Sequence, residues 1–151
     1  MSVKKGVNPV NEITFGVCLS GRPEELTTAD YTTVKDSESL SISIDSGIES
    51  WNPMDAGGWA RNLTTAKSLT ISMGGKRNYG DPGNDYVAAI AFLMGQECNS
   101  AMKITFPNGD ALFIPCVISV SEMGGDSTAI DALSWEVTSD GKPEYVEYKS
   151  A

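Results

Sequence analysis

The run from Lys67 to Gly95 constrains the fold most, because it changes from the period of a strand to the period of a helix. Its first part alternates apolar residues with serine and threonine, which predicts a half-buried strand built on Leu69, Ile71 and Met73. A polar loop rich in Gly, Asn and Asp follows. Apolar residues then recur at i, i+3, i+4 and i+7, which predicts a helix over about 85–94 with Val87, Ile90, Ala91 and Met94 on one face.

The ends of this helix carry capping signals. Asn84 is predicted to be the N-cap, Asp85 adds negative charge to the first turn, and Gly95 stands at the C′ position. Phe92 and Leu93 widen the apolar arc, so the predicted helix must be covered on most of its sides. We therefore predict a structural corner between strand and helix, formed by Gly75, Asp81, Asn84 and Asp85.

The rest of the chain has the two-residue period of strands. Short alternating segments separated by turns recur at 13–20, 40–45, 102–106, 111–122, 133–137 and 145–148. Tyr31 to Val34 is expected to pair briefly, and Asp45–Gly47 is expected to end the second strand in a turn. The prediction is a mainly β single domain over residues 1–151: a β-sandwich or small barrel of seven or eight strands, with one helix capping an opening. Residues 1–11 read as an N-terminal arm.

Residues 48–66 follow neither period, and we predict a long loop there. The segment carries Trp51, Met54 and Trp59, which argues against disorder and for docking on a surface. Two interpretations remain open at this point. The loop is either a lid over the domain's own core or the contact surface for a partner.

Composition excludes several functional classes. The chain of 151 residues has 11 basic and 20 acidic residues, so its net charge of −9 argues against a basic nucleic-acid binder. The N-terminal segment lacks the apolar core of a signal peptide, and no apolar run is long enough to cross a bilayer. Cys18, Cys98 and Cys116 show no CxxC spacing and are predicted to be reduced structural thiols.

The sequence contains no recognisable motif for catalysis, phosphate binding or metal binding. The chain contains no histidine, which removes the usual nucleophilic triads and zinc ligand sets. The segment 74–77 lacks the spacing of a phosphate-binding loop, and Asp81, Asn84 and Asp85 lack the downstream glutamate of a calcium loop. We predict that the protein is not an enzyme and has no catalytic residues, metal or cofactor.

A combination of short motifs over residues 40–148 resembles the major tail proteins, or tail tube proteins, of long-tailed phages from Gram-positive hosts. The motifs are Trp51, the Gly58-Trp59-x-Arg61 step, Lys67-Ser68, the Gly75-Lys76-Arg77 turn, the run Gly80-Asp81-x-Gly83-Asn84-Asp85-Tyr86, and the ending SDGKPEYVEY. The first forty residues contribute little to the resemblance.

The resemblance implies a structural subunit of a virion tail that is assembled in the host cytoplasm. Such subunits form hexameric rings that stack into a tube for DNA ejection, and their partners are further copies, the tape measure, the tail terminator and the distal tail protein. DNA passes through the tube transiently and without specificity, and no membrane is involved. The segment 48–66 would then be the ring-stacking loop, with Trp51, Met54, Trp59 and Arg61 at the subunit interface.

Acidic residues gain a function under this hypothesis, because carboxylates on the channel wall lower its affinity for phosphate. The candidates for lumen-facing acids are Asp45, Asp131 and Glu136; ordinary surface solubility explains each of them equally well. A different hypothesis is a monomeric β-sandwich that binds a ligand or carbohydrate on Trp51 and Trp59. The inner tube of a contractile tail is a third interpretation.

Overall fold

The computed structural model describes residues 5–148, and the first four residues of the predicted N-terminal arm lie outside it. The seven strands are β1 Thr14–Val17, β2 Ser37–Trp51, β3 Arg61–Lys76, β4 Asn99–Thr105, β5 Ala111–Gly124, β6 Ala132–Ser139 and β7 Glu144–Val146. The α-helix, α1, spans Pro82–Ile90, and short 3-10 turns lie at Val10–Glu12, Met54–Ala56 and Gly95–Cys98. The predicted mainly β fold with seven or eight strands and one helix is confirmed.

All seven strands belong to one antiparallel sheet. Six follow the order β1-β4-β5-β6-β3-β2, and β7 pairs with β5. One edge of β5 pairs with β4. The other edge pairs with β7 over residues 111–113 and with β6 over residues 116–124. Pro115 lies between these two partners, so its missing N–H falls where the ladder is already interrupted.

One face of the sheet and the helix enclose the core. Val87 and Ile90 of α1 are buried with Ile71, Ile118 and Trp135. The opposite face of β2, β3 and β6 carries hydroxyl residues, since Ser41 lies beside Ser72 and Ser72 beside Glu136. The strict alternation of these strands therefore separates an apolar face from a face of serine and threonine.

The predicted helix bounds of 85–94 were wrong by three or four residues at each end. Asp81 is the N-cap, its carboxylate accepts the Asn84 N–H at 3.0 Å, and Pro82 occupies the first turn. An Asp-Pro pair is a strong start signal, because proline needs no N–H partner there and its φ already suits a helix. Asn84 is therefore an interior residue of α1, and Gly95 belongs to a separate 3-10 turn and not to the C′ position.

The turn predicted at Asp45–Gly47 was also wrong. β2 continues to Trp51 with a register shift at Gly47, and β3 starts at Arg61, so most of the predicted loop 48–66 is β-hairpin. Only residues 52–60 are outside the strands. The apolar alternation failed there because both faces of this hairpin are exposed, so neither face selects for apolar residues.

Two smaller expectations, one brief strand pairing and one turn, were met. Thr32 and Val17 exchange backbone hydrogen bonds of 2.8 and 2.9 Å, which confirms the brief pairing of the segment 31–34. The Asn-Gly turn joins β4 to β5, and Gly109 has a φ of 95°. Within residues 5–148, no helix has the length and apolar character needed to cross a membrane.

The three cysteines are free thiols with different surroundings. Cys18 and Cys116 are buried, and burial raises the pKa of the Cys116 thiol to about 12. Cys98 is half-buried, and its Sγ donates to the Leu93 carbonyl at 3.3 Å.

We therefore expect a disulfide reagent at neutral pH to label Cys98 first, because Cys18 and Cys116 are buried and out of its reach. Ellman's reagent should titrate one thiol per chain in the native protein and all three in denaturant. Rapid native labelling of Cys116, located by peptide mapping, would contradict this expectation.

Candidate functional site: the hairpin arm, the corner and the apolar cleft

The outer part of the β2–β3 hairpin, residues 45–66, forms an arm that leaves the sheet. β6 pairs with β3 only over residues 70–76, so the strands of the arm pair only with each other. Every residue from 61 to 68 of β3 is exposed, including Leu63 at 60%. The arm therefore does not cover the domain's own core, and the lid interpretation is wrong.

The tip of the arm presents the predicted interface residues. Met54 is fully exposed, Trp59 is 80% exposed and Trp51 is 43% exposed. The Arg61 guanidinium lies 5.5 Å from the centre of the Trp51 ring, a distance at which cation–π attraction holds the two together. All four residues are brought together at one place, but one face of Trp51 is occupied by Arg61 and is not open to a sugar.

The residues predicted for the corner lie around the side chain of Asn84. This side chain is 1% exposed and makes four hydrogen bonds, each to a group near the end of the sheet. Its Oδ1 accepts from the Asn78 N–H and from Arg77 Nη1, both at 2.9 Å. Its Nδ2 donates to the Lys35 carbonyl at 3.1 Å and to the Lys76 carbonyl at 2.9 Å. The Asn84 amide thus links α1 to the segment before β2 and to the end of β3. A carboxylate of the same shape could not replace it, because it has no N–H to donate.

The other corner residues support this network. Asp81 accepts from the Lys35 N–H at 3.1 Å as well as capping α1. Asp85 accepts from Arg77 at 2.8 Å, in an ion pair whose arginine side chain is 12% exposed. Gly75 lies against the backbone at the start of β2, where an added Cβ would be 2.7 Å from Ser37 Cα. The four predicted residues are therefore brought together, with Asp81 and not Asn84 as the cap.

Arg77 also holds Tyr79, which the sequence did not single out. The guanidinium carbon lies 4.2 Å from the centre of the Tyr79 ring, and the Tyr79 hydroxyl donates to Asp131 Oδ2 at 3.3 Å. Asp131 thus belongs to the corner. Asp131 lies just before β6, two residues from the buried Leu133, and so falls on the core side of the alternation. The other two candidate lumen acids lie on the opposite face.

Asp45 and Glu136 do share the hydroxyl-rich face of the sheet. Asp45 lies beside Ser68, two residues along β3 from Thr70, and Glu136 lies between Ser72 and Ser119. Asp45 is exposed and Glu136 is half-buried. The prediction that these two acids lie opposite the apolar faces of their strands is consistent with this register.

The last strand is fastened to the β4–β5 turn through one carboxylate. Asp110 accepts from the Tyr145 hydroxyl and, at 2.8 Å, from the Tyr148 N–H. The two hydrogen bonds stabilise the charged carboxylate and so lower the pKa of the Asp110 carboxyl. The Tyr145 hydroxyl donates a hydrogen bond to this carboxylate, which raises the pKa of the hydroxyl.

An apolar cleft of about 760 Å³ lies between the root of the arm and β7. We refer to it as the cleft; its lining includes Ile44, Leu69, Phe106, Leu112, Lys142 and Tyr145. These residues come from five separate segments, so no local pattern signals the cleft. Among residues 5–148, no group of His, Cys, Asp or Glu is arranged to hold a metal ion.

Comparison with known proteins finds a similar fold but no similar sequence. Neither a protein-family model nor a curated protein matches the sequence. The structure resembles a chain from the tail of an empty gene transfer agent particle determined by helical refinement with C6 symmetry, with a TM-score of 0.73 and 14% identity. It resembles a chain from the virion of a native gene transfer agent particle with a TM-score of 0.73 and 16% identity. Each match covers 93% of this chain and 100% of the other, so the similarity of fold extends over nearly all of this chain.

Proposed function

We propose that this protein is the structural subunit of a phage tail tube, without catalytic activity, and that it assembles into stacked hexameric rings. The observation that supports the proposal best is the fold, since 93% of this chain matches a chain of a C6-symmetric tail. The resemblance of the motifs over residues 40–148 to tail tube proteins of long-tailed phages supports the same proposal independently.

The exposed arm supports assembly. A monomer rarely presents a group of large apolar side chains at the end of a projecting hairpin, and such groups mark protein–protein contacts. In the proposal, Trp51, Met54, Trp59 and Arg61 contact a subunit of the adjacent ring. The long free edge of β2 has no strand beside it among the described residues, and pairing with a neighbouring subunit protects such an edge.

The composition of the polar face suits a channel wall. In the proposal, the hydroxyl-rich face with Asp45 and Glu136 lines the lumen. Its hydroxyl groups keep the wall wetted, while the two carboxylates and the net charge of −9 repel phosphate. DNA would then pass without being held. The tape measure, the tail terminator and the distal tail protein are the other proposed partners, and the virion tail is the proposed location.

The arm gives a direct test. We expect Trp59→Ala to leave the fold intact, because this side chain is 80% exposed, and to weaken ring stacking. Loss of a central aromatic contact should raise the protein concentration needed for tube formation at least about tenfold. Negative-stain microscopy over a concentration series measures this directly.

Trp59→Phe is the matched control, since it keeps an aromatic ring at the tip and should keep most of the tubes. An equal urea midpoint for all three proteins excludes an effect on folding. If the parent protein stays monomeric at every concentration and salt condition, the proposed function is wrong.

A further inference from the structure

The segment that follows α1 exposes a second apolar group. Phe92 is 85% exposed, Met94 is 84% exposed and Leu93 is 39% exposed, although the sequence predicts all three to be covered on a helix. Because α1 ends at Ile90, they project from the turn that leads into β4. We call Phe92–Met94 the knob.

The knob and the cleft lie at opposite ends of β4. The turn Gly95–Cys98 connects the knob directly to Asn99, the first residue of β4. Thr105 ends the strand, and the next residue, Phe106, lines the cleft. A strand of seven residues spans about 20 Å, so the knob cannot reach the cleft of its own chain.

The two surfaces also have complementary charge. Lys67 and Lys142 line the cleft, and neither forms an ion pair among the described residues, although the chain carries a net charge of −9. The knob is followed by Glu97, and no lysine or arginine occurs between residues 78 and 102. Arg22 lines the same surface depression as Glu97, but its guanidinium is occupied by Asp140 at 2.7 Å and by the Cys116 carbonyl at 2.6 Å.

From this placement we propose that the cleft receives the knob of a second copy of this chain in the adjacent ring, with Glu97 beside Lys67 and Lys142. The inference rests on the proposed function and names the receiving site for one stacking contact. Since two different surfaces meet, the contact is heterologous, and it repeats from ring to ring without closing. It also gives the growing tube a direction.

The tip of the arm is a less suitable occupant of the cleft. It carries Arg61 beside Trp51, and this cation would be placed near two lysines. The arm begins at the cleft itself, because Ile44 and Lys67 belong to its root, and it extends away from there. The arm and the knob therefore provide two separate contacts.

Charge exchange between the two surfaces tests the proposal. We expect Glu97→Lys and Lys142→Glu each to raise the protein concentration for tube formation at least about tenfold, and the double variant to recover most of that loss. Glu25→Lys, an exposed charge reversal outside the knob and the cleft, is the matched control and should form tubes as the parent does. Additive losses in the double variant would overturn the inference.

Cross-linking locates the contact. In a Cys98→Ser background, one variant carries Met94→Cys and another carries Lys142→Cys. A disulfide needs Cα atoms within about 7 Å, so oxidised tubes should yield disulfide dimers only when the two variants are mixed.

The outcomes separate the two proposals. If Phe92→Ser and the charge variants form tubes like the parent and the mixed variants do not cross-link, the inference is wrong and the tail tube function stands. If the parent protein forms neither rings nor tubes, the proposed function itself fails.

Discussion

Gly75→Ala is expected to destabilise the folded monomer by about 3 kcal/mol, because the added methyl group meets backbone that cannot move away. An added Cβ would overlap the Asp36 carbonyl oxygen and lie 2.7 Å from Ser37 Cα. Both atoms belong to the segment that starts β2, and the Lys76 N–H donates to the same Asp36 carbonyl at 2.8 Å. Relief of the overlap would therefore break a backbone hydrogen bond at the end of the sheet.

Gly74→Ala is the matched control, since it makes the same change one residue earlier in β3. Its Cβ would be 2.9 Å from Ser39 Oγ, and this hydroxyl rotates away at low cost. We expect the control to stay within about 1 kcal/mol of the parent. Urea denaturation at a protein concentration too low for assembly measures both, and equal midpoints for the two variants would show that the close approach at Gly75 does not matter.

Asn84→Asp is expected to cost about 3 kcal/mol or more, although the side chain keeps its shape. The carboxylate can still accept from Asn78 and Arg77. It has no N–H for the Lys35 and Lys76 carbonyls, so it places a negative oxygen against two carbonyl oxygens in a site that is 1% exposed. Loss of this network should loosen the attachment of α1 to the sheet.

The comparison for this prediction is Asn78→Asp, because Asn78 makes its side-chain hydrogen bond to Asp36 at the surface, at 2.6 Å. Repulsion between two exposed carboxylates is screened by water and salt and should cost less than about 1 kcal/mol. Thermal and urea unfolding give the free energies. The interpretation of Asn84 as the centre of the corner fails if both variants unfold at the same urea concentration.

Local signals sufficed for the strands that bury one face against the core. The alternation in β3, β5 and β6 has a physical cause, since each of these strands buries one face, and a two-residue period records that burial. The Asn-Gly turn before β5 was equally readable, because positive φ restricts the residue type. Gly75 and Asn84 could be assigned to a corner, but their packing partners could not be named.

The arm, the knob and the cleft depended on the tertiary structure. The strands of the arm pair only with each other, so no burial imposes a period on their sequence. The helix ends at Ile90 and exposes Phe92 and Met94, whose apolar character had suggested burial within the chain.

The cleft collects residues from Ile42 to Tyr145, and only the path of the sheet brings them together. The sequence shows which residues are apolar and favour burial. Only the tertiary structure shows whether the same chain buries them. In this protein, apolar side chains at the arm, the knob and the cleft are left exposed by their own chain, and another copy is proposed to cover them.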